Sequence, residues 1–226
     1  MKNEFVDLSH QVFNCMTGYQ YKKPDSSIEH FTLQVDQVLD RKETNSLYDN
    51  DVEFLLSKVT MHTAIGTYID VPFHRYEHGR DHSDFSLADY ILDGICIDLT
   101  RIKSDTEIVA ELSRLNVKGK AILFHFGMDK HWGTPEYTSF GAISEEIIMK
   151  LIEFEVKLVG VDTINIDKFS NLHRPAHSQL LINDILIIEN MKNLDLLFEK
   201  KFRLYAVPLN IKGVANFPIR VFAEIL

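Results

Sequence analysis

The chain has 226 residues, of which 45% are apolar and 25% are charged, and its net charge is −9 with histidine neutral. This balance is typical of a globular protein, and the length predicts a single domain spanning residues 1–226. The acidic balance disfavours a nucleic-acid partner, because phosphate binding needs clustered Lys and Arg side chains. The longest aliphatic run covers only residues 185–188, far short of the roughly 18 residues that a membrane span needs. With two cysteines and no apolar leader, we expect a cytoplasmic protein without a membrane partner.

Short runs rich in β-branched residues predict the strands. In chain order they cover residues 57–63, 95–99, 121–126, 158–162, 185–188, 203–209 and 220–225. Polar stretches at residues 22–27 and 39–51 predict loops.

The clearest helix signal begins at Ser144, an N-cap residue followed by two glutamates and then by apolar residues on one face. Residues 105–115 and 190–198 predict two further helices. Strands outnumber helices and do not alternate strictly with them, which favours an α+β fold with a mixed sheet over a doubly wound one. The scattered glycines form no Walker A or dinucleotide fingerprint, so nucleotide binding by those routes is not expected.

The most informative segment covers residues 66–74. If it is extended, Tyr68, Asp70 and His74 lie on one face, because side chains alternate with a period of two. Pro72 cannot donate to a ladder, which predicts an edge or loop segment and not a central strand. A surface loop with a few polar side chains is the alternative interpretation.

A second candidate pair, His177 and Glu189, lies in the C-terminal half. Glu189 ends an aliphatic strand, where a carboxylate is costly unless it is paired, solvated or bound to metal. Glu189 could simply begin the helix predicted after it. Alternatively, Asp70, His177 and Glu189 meet at one cation, since two carboxylates and one imidazole suit Zn²⁺ or Mn²⁺.

Several blocks of this sequence together resemble one known family. They are Asp7-Leu8-Ser9-His10, residues 66–74, Val159-Gly160-Val161-Asp162-Thr163, His177 with Leu180-Leu181, residues 187–194, Pro208-Leu209 and residues 218–221. In order and spacing they resemble the cyclase family of metal-dependent hydrolases, which includes bacterial kynurenine formamidases and isatin hydrolases. The resemblance implies an α+β swivelling β/β/α domain with a mixed central sheet. It also implies a homo-oligomer, either a dimer or a tetramer.

The family's signature segment reads His-x-Gly-Thr-His-x-Asp-x-Pro-x-His, and this chain departs from it at two positions. Ala64 and Tyr68 stand where the family has metal-ligand histidines. Because the family often holds two metals, these replacements imply the loss of most of one site.

The resemblance implies a metal site at Asp70, His177 and Glu189, with His74 at the position of the catalytic acid/base. One divalent ion, Zn²⁺ or Mn²⁺, would supply hydroxide at neutral pH to attack an amide, formamide or lactam carbonyl of a small-molecule substrate. His74 would pass a proton to the leaving nitrogen, as imidazole can do near neutral pH. This function is that of an arylformamidase-like hydrolase. The alternative is a metal-free, catalytically altered or inactive homologue that binds a small molecule.

Two aromatic residues are candidate substrate contacts. Tyr68 is a poor metal ligand, because a phenol must first ionise, but it could donate a hydrogen bond to substrate or serve only as packing. Trp132 lies in the segment where the family places substrate contacts, and packing is the alternative role. His78 and His82, in a polar loop, are expected to be solvated.

Overall fold

The structure, a computed structural model, describes residues 4–48, 52–102 and 104–226. The chain divides into two compact units. The larger combines the N-terminal residues up to His10 with Thr67–Leu226, and the smaller comprises Gln11–Gly66. The single-domain organisation expected from the length stays a prediction.

Strands make up most of the regular structure. They are β1 Glu4–Asp7, β2 Met16–Lys22, β3 Ile28–Leu39, β4 Leu56–Met61, β5 Tyr68–Asp70, β6 Ile91–Asp98, β7 Ala121–His125, β8 Leu158–Val161, β9 Leu186–Glu189, β10 Phe202–Tyr205, β11 Asn216–Pro218 and β12 Phe222–Ile225. The α-helices are α1 Arg41–Asn45, α2 Leu87–Tyr90, α3 Asp105–Arg114, α4 Glu145–Glu153 and α5 Pro175–Ile182. Among the helices of the described ranges, none has the length and apolar composition needed to cross a bilayer.

One mixed sheet organises the described part of the larger unit, in the order β1-β12-β10-β6-β7-β8-β9-β5-β11. The central strands β6 to β9 are parallel, and the pairs on either side of them are antiparallel. This confirms the α+β class and the mixed central sheet.

Helices cover one face of this sheet, because their apolar stripes pack against the strands. Ile108 and Leu112 of α3, and Ile147 and Leu151 of α4, join a buried cluster with strand residues such as Phe124. A second buried cluster covers the opposite face and includes side chains from β1, β10 and β12. The central parallel strands are therefore buried on both sides, as their unbroken aliphatic runs indicated.

The smaller unit contains, in its described residues, an antiparallel sheet in the order β2-β3-β4. Its β4 confirms the strand predicted at residues 57–63, and the loop predicted at 22–27 joins β2 to β3. The loop predicted at 39–51 is partly wrong, since α1 lies within it. That helix begins after Asp40, whose side chain accepts a hydrogen bond from the Glu43 amide. Residues 49–51 of that prediction lie outside the described residues.

In the larger unit, each predicted strand overlaps an observed one, and Ser144 caps α4 as expected. The helix predicted at 190–198 is only a short 3-10 helix, Leu194–Leu197. The helix α5 was not predicted, although Pro175 at its first position is a recognised start signal.

The edge position predicted for residues 66–74 is wrong. β5 pairs with β9 on one side and β11 on the other, so it lies inside the sheet. Pro72 causes no conflict, because the strand ends at Asp70 and Pro72 begins a 3-10 turn that ends at His74.

Candidate metal centre

Strand pairing between β5 and β9 brings together polar side chains from distant parts of the chain. Tyr68 lies directly opposite Glu189, and Asp70 lies opposite Ile187. Directly paired residues share a face of the sheet, and so do residues two apart on one strand. Tyr68, Asp70 and Glu189 therefore project to the same face.

His177 reaches the same place from α5 and completes a buried group of three possible ligands. Asp70 and Glu189 are fully buried, and His177 is 3% exposed. The His177 Nε2 atom lies 3.5 Å from Oε1 of Glu189 and 3.9 Å from Oδ2 of Asp70. One donor atom from each residue lies within 4.8 Å of the other two, close enough for all three to bind one cation.

The hydrogen bonding of Asp70 indicates a cation. Its Oδ1 accepts a hydrogen bond from Nδ2 of Asn216 at 3.1 Å. Its Oδ2 is buried without a hydrogen-bond partner in the described structure. A buried carboxylate oxygen without a donor is costly, and a bound cation would remove that cost. The residues present therefore fit a divalent metal ion.

The carboxylate of Asp167 orients His177. The Nδ1 atom of His177 donates to Oδ2 of Asp167 at 2.6 Å, which leaves Nε2 as the atom that faces Asp70 and Glu189. Metal-binding histidines commonly have such a carboxylate partner on the other ring nitrogen. Burial opposes protonation, but the hydrogen bond to Asp167 and the charges of Glu189 and Asp70 raise the pKa of His177.

Glu189 is held at both of its oxygens. Oε1 accepts from the Ile166 amide at 2.7 Å, and Oε2 accepts from the Tyr68 hydroxyl. Burial is the main cause that raises the pKa of Glu189 to about 7, and the charge of Asp70 adds to it, while His177 opposes it. Because a cation favours the ionised carboxylate, this centre should bind metal better above neutral pH than below.

His74 lies beside the buried group and is partly open to solvent. Its side chain is 35% exposed, and its Nδ1 is 3.8 Å from Oδ1 of Asp70. Its ring centroid is 5.7 Å from that of His177. Asn216 Nδ2 lies 3.5 Å from His74 Nδ1, so it can donate to that atom when Nδ1 carries no proton.

Trp132 belongs to an aromatic cluster that sequence reasoning did not foresee. Its ring stacks on His10, with centroids 4.1 Å apart, and meets Tyr137 edge to face. Burial is the main cause that lowers the pKa of His10 to about 4, so this ring is neutral near pH 7. Tyr137 also donates to Oδ1 of Asn190, the residue after Glu189, which connects the cluster to the end of β9.

Another group of possible ligands, His125, Asp129 and Asp162, has a different role. Both oxygens of Asp162 accept backbone amides, from residues 126, 127 and 128 at 2.7–3.1 Å. Oδ2 of Asp129 accepts the Asn193 amide at 2.9 Å. Through these backbone hydrogen bonds the two carboxylates anchor the loop that leads to Trp132.

The hydrogen-bond partners of the ligands were not predicted from the sequence, and one histidine is buried where solvent exposure was expected. No local motif identifies Asp167 or Asn216, because each acts on a ligand elsewhere in the chain. Asp167 contacts His177, 10 positions away, and Asn216 contacts Asp70, 146 positions away. His82, expected to be solvated, is only 3% exposed, and its Nδ1 lies 3.2 Å from the Tyr90 hydroxyl. His78 is exposed, as predicted.

Comparison with known proteins identifies the family of this chain. The Cyclase family model matches residues 6–168. Kynurenine formamidase of Bacillus cytotoxicus is 31% identical over 170 residues, which cover 73% of this chain and 78% of that protein.

Solved structures show the same fold at low sequence identity. Isatin hydrolase A from Ralstonia solanacearum has a TM-score of 0.80 at 19% identity, covering 99% of this chain and 92% of that one. Isatin hydrolase A from Labrenzia aggregata, bound to benzyl benzoate, has a TM-score of 0.79 at 19% identity, covering 99% and 94%.

Proposed function

This chain belongs to the cyclase family of metal-dependent hydrolases, and from that premise we propose that it hydrolyses an amide, formamide or lactam bond in a small metabolite. The names of its relatives support this substrate class, since they include a kynurenine formamidase and isatin hydrolases. A cytoplasmic location and a homo-oligomeric state stay predictions.

The proposal depends above all on the buried group of Asp70, His177 and Glu189. Two buried carboxylates share a single histidine between them, and a cation that binds all three side chains would offset the cost of taking both charges out of water. The buried Oδ2 atom of Asp70, which lacks a hydrogen-bond donor, supports the same conclusion. We therefore favour a metal-dependent enzyme over the metal-free alternative.

Two oxygen ligands and one nitrogen ligand suit Zn²⁺ or Mn²⁺. When bound, such an ion polarises a carbonyl oxygen and lowers the pKa of coordinated water towards about 7. Asp70, His177 and Glu189 would hold the ion, and Asp167 would keep the Nε2 lone pair of His177 directed at it.

His74 is the candidate acid/base. Its partial exposure lets it reach both substrate and solvent, and its place beside Asp70 keeps it next to the centre. When Nδ1 accepts from Asn216, the ring proton is on Nε2, the atom from which His74 would protonate the leaving nitrogen.

Trp132 is the candidate substrate platform. Its partial burial supports this role, and because His10 stacks on one face of the indole, a flat substrate ring would contact the rest of the Trp132 surface. The substrate contact considered for Tyr68 stays a prediction, and its hydroxyl is bonded to Glu189.

The test is metal content and hydrolysis measured on the same preparation. Protein purified without chelator should contain Zn or Mn and should hydrolyse N-formylkynurenine or isatin. Asp70→Asn should lose both properties, because it removes one ligand charge. Asp93→Asn is the matched control, since it changes an exposed carboxylate that pairs only with Arg203 in the described contacts.

The proposal is wrong if the wild-type protein binds no metal above background and added Zn²⁺ or Mn²⁺ does not restore hydrolysis. That result would favour the metal-free, small-molecule-binding alternative.

A further inference from the structure

Tyr68 hydrogen-bonds directly to one of the candidate ligands without being one of them. It lies directly across the β5–β9 pair from Glu189, and its hydroxyl donates to Oε2 of that carboxylate. The residue is only 8% exposed, so water has little access to this bond. The Tyr68 side chain is therefore part of the buried centre.

The two oxygens of Glu189 have different surroundings. Oε2 receives the Tyr68 hydroxyl, and Nδ2 of Asn165 is 3.5 Å away. Oε1 receives the Ile166 amide and is the oxygen that lies 3.5 Å from Nε2 of His177. A carboxylate oxygen that accepts one hydrogen bond still has a lone pair for a cation.

We propose that Tyr68 is a positioning residue for the metal centre: its hydroxyl holds Oε2 of Glu189, so that Oε1 is the atom presented to the cation together with Asp70 and His177. This inference rests on the proposed function, because it needs a cation at the centre. In this proposal Tyr68 donates a hydrogen bond to the metal ligand Glu189 and does not itself bind the cation.

The hydrogen-bond geometry of the site supports the donor role. A phenol coordinates a cation well only after losing its proton. An ionised carboxylate oxygen can only accept a hydrogen bond, so the Tyr68 hydroxyl supplies the proton in its contact with Oε2 of Glu189.

The experiment compares cation binding by chelator-treated wild-type protein, Tyr68→Phe and Tyr137→Phe. Tyr68→Phe removes only the hydroxyl on Glu189. Tyr137→Phe is the matched control, because it removes another buried tyrosine hydroxyl, which donates to Asn190 and to no ligand. Zn²⁺ affinity is measured by calorimetry, the visible absorption of bound Co²⁺ reports ligand geometry, and thermal denaturation checks that both variants fold.

We expect Tyr68→Phe to weaken Zn²⁺ binding by about 10- to 100-fold, as is usual when a partner of a metal ligand is lost. The Co²⁺ spectrum should change, and Tyr137→Phe should match the wild type in both measurements. Unchanged affinity and spectrum in Tyr68→Phe, or an equal loss in Tyr137→Phe, would overturn the inference.

A measurement on the wild type decides the question even if Tyr68→Phe fails to fold. Titration with Zn²⁺ should produce no tyrosinate absorption in the near ultraviolet, and the appearance of that absorption would show Tyr68 to be a ligand. Failure of the two proposals is distinguishable. A wild type that binds no cation contradicts the proposed function, whereas tight binding that is unaffected by Tyr68→Phe contradicts only the role of Tyr68.

Discussion

Raising the pH should destabilise the cation-free protein, and Glu189 should account for a measurable share of the loss. Its pKa in the folded protein, about 7, lies above the ordinary value of 4.5. The folded state therefore holds this proton more tightly than the unfolded chain does. The stability that it contributes is present at low pH and is lost as the pH rises through about 7.

The magnitude follows from the size of the shift. One pKa unit corresponds to about 1.36 kcal/mol, so the loss from Glu189 between about pH 5.5 and about pH 8 is about 2 kcal/mol. His177 acts in the same direction, because its raised pKa also favours the protonated folded state. A variant that lacks the Glu189 carboxylate is therefore needed to measure how much of the stability loss depends on it.

Urea denaturation of chelator-treated wild type and Glu189→Gln at both pH values measures the share that depends on the Glu189 charge, including its effect on the pKa of His177. The glutamine has nearly the same shape but does not titrate, so the free energy of unfolding of the variant should fall by about 2 kcal/mol less than that of the wild type. Adding Zn²⁺ at a hundred times the Kd measured at the higher pH should stabilise the wild type by about 2.7 kcal/mol at that pH. The same Zn²⁺ concentration should stabilise it less at the lower pH, where the ligands are protonated. The same pH dependence in both proteins would refute the reasoning.

Two further predictions concern the residues around the ligands. Asp167→Asn removes the charged partner of His177 Nδ1 and should weaken Zn²⁺ binding by about 10- to 100-fold in calorimetry, and unchanged affinity would show that Asp167 does not orient the ring. His74→Ala should lower kcat for amide hydrolysis by about 10²- to 10⁴-fold while metal content stays at the wild-type level, and a loss of metal instead would show that His74 serves the cation.

The candidate site could be predicted in part because its ligands stand in recognisable local settings. Asp70 belongs to a segment that resembles a family signature, and Glu189 ends an aliphatic run where a carboxylate is otherwise costly. Pro72 was a misleading signal, since a proline just after a strand does not exclude that strand from the interior of a sheet.

Local sequence determined the strand segments and the capped helix α4, because propensity, capping and hydrophobic period act over a few residues. Resemblance to a family motif indicated the three candidate ligands. Only the tertiary structure decided how those ligands are held. The pairing of Tyr68 with Glu189 joins residues 121 positions apart. Asp167 meets His177 because the loop before α5 folds onto the start of that helix, where Asp167 also accepts the Ala176 and His177 amides. Such contacts depend on strand register and loop path, which the whole fold determines.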